Sequence, residues 1–170
     1  MSIRRMAVGA LALVTSVAIV VLGAVPAAAG GIGGGGKPIR EFAPSGLPFT
    51  FGEGIACNFS VTIFEVENNE FAKTFPNGNV LITGRLVVRI QNDATRLSVV
   101  RNVSGPLSVT DSGHVVTLSG VSLSPVFAGH DETGQIGTGM FIFHGPTTFV
   151  DTQLTQVSGT VENLCETLAS

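Results

Sequence analysis

The 170-residue chain has no tryptophan, no tyrosine, only two cysteines and three histidines, and only 12% of its residues are charged. Charge at about half the usual quarter of a soluble domain excludes an intrinsically disordered chain. With a net charge of -3 it also excludes a nucleic-acid binder, which needs a basic stripe. The two cysteines are not a C-x-x-C redox pair and cannot by themselves form a clustered metal set. No G-x-S-x-G or related segment presents a nucleophile on a strained turn. Helical periodicity is almost absent. The same poverty of titratable side chains withholds the material for catalysis, so no catalytic residue and no cofactor are assigned.

What is present begins with a targeting segment. Arg4 and Arg5 precede an apolar run from Met6 to Leu22, followed by Pro26 and then Ala27 to Ala29. This is the pattern of a secretory signal peptide, with small residues at the two positions read by the cleaving enzyme. The run is interrupted by Thr15 and Ser16 and falls short of the roughly 20 apolar residues that a bilayer requires. Cleavage after Ala29, secretion to the extracellular space and no stable membrane insertion are therefore expected. Its loss removes two of the nine basic residues and none of the twelve acidic ones, so the exported domain is the more acidic.

The segments then divide as 1–29 signal peptide, 30–48 flexible leader and 49–170 a single domain. Gly30 to Gly36 reads GGIGGGG, which cannot bury apolar surface and costs the most backbone entropy to order. Pro38, Pro44 and Pro48 extend the irregular stretch, which places the first ordered residues near Phe49 or Phe51.

Beyond Cys57 the dominant signal is period two, broken by turn residues every eight to twelve positions. A first strand surrounds Val61 to Val66, a second Phe71 to Phe75, and Pro76-Asn77-Gly78-Asn79 supplies a tight hairpin. The longest strand runs from Val80 to Gln91, with Val80, Ile82, Leu86, Val88 and Ile90 on the core face and Gly84 marking a bend or bulge. Arg96 to Val103 follows, where Arg101 intrudes among apolar positions: either a bulge at Val99-Val100 flips the register or Arg101 is buried and paired. Leu107 to Thr110, a turn at Asp111-Ser112-Gly113 and a strand from His114 to Ser124 lead to the irregular stretch Pro125 to Ile136. Gly137 to His144 is apolar on both faces and reads as a fully buried strand. Thr147 to Asp151 and Thr155 to Val161 form the last hairpin, and Val161, Leu164 and Leu168 stand at the spacing of a short C-terminal helical turn. About eight or nine antiparallel strands in sequential hairpins give an all-β, up-and-down meander closed as a barrel, with a two-layer β-sandwich as the alternative.

Cys57 and Cys165, near the two ends of the domain, are expected to pair in an exported chain. Such a bridge closes almost the whole domain, which the chain-entropy account values at about 4 to 5 kcal/mol.

Few side chains offer chemistry. His144 ends the buried strand, and it and Arg101 are the candidates for ligand contact. No metal is assigned; a cation, if bound, would sit at His130, Asp131 and Glu132 in the irregular loop. Glu65 and Glu67 are read on one strand face and Glu70 in a solvated turn, while Arg85 and Arg89 keep an outer face soluble. The matches to the N-glycosylation pattern at Asn58 and Asn102 are taken as chance. What remains is a non-catalytic binding or cell-envelope-associated module, or alternatively a carrier or isomerase-like barrel for a small hydrophobic ligand. The partner classes left are a small apolar ligand or a cell-envelope component.

The segments ACNFSV, FPNGNVLITGRLVVRIQN, GTGMFIFHGPTTF and VSGTVENLCETLAS, which span most of Cys57 to Ser170, resemble a family of small secreted actinobacterial proteins of unknown function. The resemblance implies an exported, disulfide-closed β-domain and a bacterial host, and supplies no catalytic or binding residues.

The intact mass of the protein purified from the culture medium is expected to correspond to a chain beginning at Gly30. A mass retaining residues 1–29 would overturn the cleavage assignment.

Overall fold

The computed structural model describes residues 36–169; the expected signal peptide, its cleavage after Ala29 and nearly all of the glycine run lie outside the described residues. Among the described residues no helix is long and apolar enough to cross a membrane.

The domain is antiparallel all-β. Its strands are β1 (Ile39–Phe42), β2 (Phe49–Phe51), β3 (Val61–Asn68), β4 (Phe71–Thr74), β5 (Val80–Thr83), β6 (Leu86–Asn92), β7 (Ser98–Asn102), β8 (Leu107–Thr110), β9 (Val115–Leu118), β10 (Val121–Val126), β11 (Gly139–His144), β12 (Thr147–Val150), β13 (Gln153–Val157) and β14 (Thr160–Asn163), followed by a single helical turn α1 (Leu164–Thr167). Asn163 caps α1 by accepting a hydrogen bond from the Cys165 N–H.

The strands work in tandem. β3 leads into β4, and β5, which pairs with β4, leads into β6, which pairs back onto β3. The same doubling recurs along the chain, β9 with β10 against β11 with β12, and those against β13 with β14. At one end the tandems form a continuous seven-stranded sheet, ordered β1-β4-β5-β8-β9-β12-β13. At the other end they part into a four-stranded sheet β2-β3-β6-β7 and a three-stranded sheet β10-β11-β14. The parting falls between β7 and β10, where the Gly105 N–H still bonds the Val121 carbonyl but no ladder follows. The fold is thus forked: one sheet that divides into two facing layers.

The core fills the gap between those layers. Val61, Ile63, Leu86, Val88 and Ile90 from the four-stranded side meet Met140, Ile142, Leu164 and Leu168 from the other. β11 is buried on both faces, as its composition requires: Met140 and Ile142 enter this core while Phe141 and Phe143 join Val126 and Leu154 behind it. Cys57 and Cys165 are joined across a sequence separation of 108 with their Cα atoms 5.4 Å apart, tying α1 to the segment ahead of β3. Asn92 adds a buried bond to the Leu168 carbonyl at 2.9 Å.

Several expectations are corrected. No sheet closes into a barrel, and the sandwich-like arrangement fits instead, because β10 and β7 are edges. Pro125 within β10 has no N–H to extend a ladder, which suits an edge strand. The strand expected from Val80 to Gln91 is two, β5 and β6, in different sheets, and His114 to Ser124 divides likewise into β9 and β10. Gly84 is the reason in the first case: at φ +139° it lets the chain turn between layers, and a Cβ there would lie 2.2 Å from the Asn69 carbonyl oxygen. The β6–β7 register runs unbroken, so Arg101 is paired rather than displaced by a bulge. The bulge lies in β3 instead, between Glu65 and Glu67, and turns those two carboxylates to opposite faces. The stretch 30–48 is not all leader: Ile39–Phe42 pairs with β4, and Ala43 and Ser45 are buried.

Gly159, at φ +93°, would place a Cβ 2.1 Å from the His144 carbonyl oxygen, whereas Gly78, at φ +84°, has nothing within 4 Å. Both Ala variants carry the positive-φ strain of about 1 kcal/mol. Gly159→Ala adds a backbone collision and is expected to lose several times more stability in urea unfolding than Gly78→Ala; equal losses would refute the close-packed junction.

Candidate functional site

A pocket of about 70 Å³ lies where the sheet divides. Most of its wall is aliphatic: Ile63, Leu86 and Val88 from the four-stranded layer, Ile82 from the seven-stranded sheet, and Leu118 and Leu123 from the tandem opposite. Three polar side chains, Ser45, Glu70 and Ser122, interrupt that wall, and two of them lack partners. Glu70, just ahead of β4, is 5% exposed, and Ser122, in β10, is 4% exposed. Neither Glu70 Oε2 nor Ser122 Oγ has a hydrogen-bond partner among the described residues. Buried polar atoms are satisfied in the great majority of cases, and leaving one unmade costs about 1 to 3 kcal/mol. Two of them facing one small pocket mark it as the candidate site.

The local backbone explains how a carboxyl arrives there. Asn69 and Glu70 form the bend between β3 and β4, directly across from Gly84, whose missing Cβ lets the Glu70 Cα approach. The Glu70 N–H bonds Asn68 Oδ1 at 2.9 Å and its carbonyl accepts the Ala43 N–H at 3.0 Å, so the residue is fixed from both sides. Burial pushes its carboxyl above the ordinary 4.5, and the nearby charge of Glu65 pushes the same way. Glu65 is engaged by the Ser45 hydroxyl and by Asn68 Nδ2, and Ser45 itself lines the pocket.

The residues singled out from the sequence lie elsewhere. Arg101 forms a two-pronged ion pair with Glu162, at 2.6 and 3.1 Å, linking β7 to β14 across the gap between the layers. That pair holds Glu162 below the usual carboxylate range, and the Thr167 hydroxyl adds to it. Arg101 and His144 both stand near Glu162, but neither lines the pocket, and His144 is exposed.

His130, Asp131 and Glu132 do not converge. Asp131 accepts the N–H groups of Thr133, Gly134, Ile136 and Gly137 together with the Thr133 hydroxyl. Burial works against its charge, but these donors prevail and lower its pKa to about 2. A carboxylate has about four lone-pair sites, so donors already occupy those a cation would need. His130 Nδ1 lies 3.1 Å from the Thr152 hydroxyl, the Glu132 side chain is exposed, and no group of three or more metal-ligating residues occurs among the described residues. Asp131 is the anchor of its loop.

Arg85 pairs with Glu67 at 2.9 Å, and Arg89 stacks 4.1 Å over Phe64, both on the outer surface as expected. Glu70 and Ser122 were not legible as site residues. Period two places Ser122 among alternating polar positions, and the Asn-Asn-Glu run reads as a solvated turn; the available hint was an acid opening an apolar strand opposite a mid-strand glycine.

No protein-family model matches the chain, and no curated protein or solved structure matches it either.

Glu70 supplies a pH test. Its folded-state pKa is raised, so its neutral form favours folding below the unfolded value near 4.5, and that contribution is lost as pH rises through the folded value. Glu70→Gln, which cannot ionise, is expected to melt with the wild type at pH 4 and above it at pH 8. Parallel melting curves across that range would show that Glu70 is not desolvated.

Proposed function

We propose that the chain is a secreted, non-catalytic binding domain and that its site is the pocket at the fork, which receives the polar head of a small or extended partner. The observation that supports this reading is the pairing of two buried, unpartnered polar atoms with an aliphatic wall. Those atoms impose a stability cost that a bound head group relieves by hydrogen bonding. Ser122 Oγ has no base bonded to it, which favours a recognition role for that hydroxyl over a nucleophilic one.

Size supports head-group binding over carriage of a whole molecule. Pockets that enclose drug-sized ligands hold about 300 Å³ or more, and a cavity of about 150 Å³ holds benzene. At about 70 Å³ the pocket seats a few non-hydrogen atoms, while Leu47, Leu107 and Pro125, each partly exposed, offer an apolar rim to whatever follows. The Cys57–Cys165 bridge accords with an oxidising, extracellular setting, where the partner classes are a small apolar ligand or a cell-envelope component.

Amide chemical-shift mapping with short-chain alcohols, amides and amines is expected to give saturable shifts centred on Glu70 and Ser122. Ser122→Ala is expected to weaken those responses while raising stability by about 1 kcal/mol, because it removes an unsatisfied hydroxyl. If no probe shifts these residues, the pocket is not the site.

A further inference from the structure

The chemistry of the pocket selects among head groups, and this selection rests on the preceding proposal that the pocket is the binding site. Its polar groups are a carboxyl, Glu70, and the hydroxyls of Ser45 and Ser122; no lysine, arginine or histidine lines it. The basic side chains nearby are committed elsewhere. Arg85 is held by Glu67, on the face of β3 opposite to Glu65, and Arg101 is held by Glu162 between β7 and β14. A second carboxylate, Glu65, stands behind Ser45 and accepts its hydroxyl. An anionic head entering this space meets two carboxylates and no compensating cation. A neutral hydroxyl satisfies one acceptor and leaves the charge on Glu70 unbalanced.

We infer that the pocket binds a primary alkylammonium group, its nitrogen against Glu70 Oε2 and Ser122 Oγ and its first methylenes against Leu86, Val88 and Leu123. An ammonium brings three donors and no acceptor, the complement of a site whose unmet atoms include a carboxylate oxygen and a hydroxyl. Charge matters as much as donor count. A buried carboxylate and a buried ammonium are each costly alone, and pairing offsets both desolvation terms in one contact. Burial and Glu65 together already disfavour the lone negative charge on Glu70, so a cation relieves an existing penalty. Volume limits the fit: by the benzene comparison about 70 Å³ accepts roughly three non-hydrogen atoms, the nitrogen and two carbons, with the remaining stem lying along the rim. A free alkylamine and the side chain of a lysine in a peptide present this same terminus.

The test uses the exported protein, Gly30 to Ser170, at pH 8 and low salt, followed by amide chemical shifts. The probes are n-butylammonium chloride, n-butanol, sodium butyrate and Nα-acetyl-lysine methylamide. n-Butylammonium is expected to bind about tenfold more tightly than n-butanol, as a charge-assisted contact should, and butyrate to leave Glu70 and Ser122 unshifted. Glu70→Gln is expected to remove that tenfold preference, weakening n-butylammonium far more than n-butanol; Ser122→Ala, the second variant, weakens both probes. n-Butanol binding as tightly as n-butylammonium, or a preference that survives Glu70→Gln, overturns the ammonium assignment and leaves the pocket as a site. Silence from all probes overturns both. Comparable binding of the lysine derivative identifies a peptide side chain as the source, and its failure beside a binding n-butylammonium identifies a free amine.

Discussion

At Gly84, Gly105, Gly145 and Gly159 the backbone of one strand tandem lies against a neighbour so closely that a Cβ would come within 2.3 Å of a carbonyl oxygen. No side chain can be accommodated at such contacts. Because these residues stand at the junctions between successive strands, they form a row across the sheet along which the tandems change layer. The backbone bonds that bind the row, Asn69 N–H to the Arg85 carbonyl and Gly145 N–H to the Gly120 carbonyl among them, keep neighbouring tandems bending together. The seven-stranded sheet, the two facing layers and the core between them all follow from that shared bend.

The bend also explains why the interior has a polar place. Two layers diverging from one sheet cannot be filled as tightly at the point of divergence as further out, where Val61, Ile90 and Ile142 join one core. Glu70 and Ser122 stand at that point on opposite sides. Farther along, the layers are fastened by side chains, Arg101 with Glu162, and by the Cys57–Cys165 bridge, in place of the hydrogen-bond ladder that would close a barrel. Among the described residues, Arg101 and Glu162 form the ion pair that spans the layers, and the Glu70 carboxyl faces the space they leave.

Strand positions were largely legible because period-two alternation and turn residues act locally. The buried strand Gly139–His144, the Asn77-Gly78 hairpin and the helical turn at Leu164–Thr167 were all marked in this way. The pairing of Cys57 with Cys165 followed from their being the only two. What periodicity does not record is which sheet a strand belongs to. Alternation continues through Gly84 and Gly120 while the backbone changes layer, so two strands read as one and the meander read as a closed barrel. The site was hidden for the same reason. Glu70 owes its burial to a backbone approach from Gly84, fourteen positions away in sequence and invisible to any local pattern.

The Cys57–Cys165 bridge makes a covalent ring that contains every strand from β3 to β14. The irregular connection between β10 and β11, anchored by Asp131, lies within it. A protease that cuts that connection once opens the ring without releasing a fragment, and both halves stay joined at the sulfurs and interleaved in the same sheets. Within the ring, from β3 to β14, the bridge sets the number of cuts needed to lose a piece at two, whereas β1 and β2, ahead of Cys57, are held by their strand pairing alone.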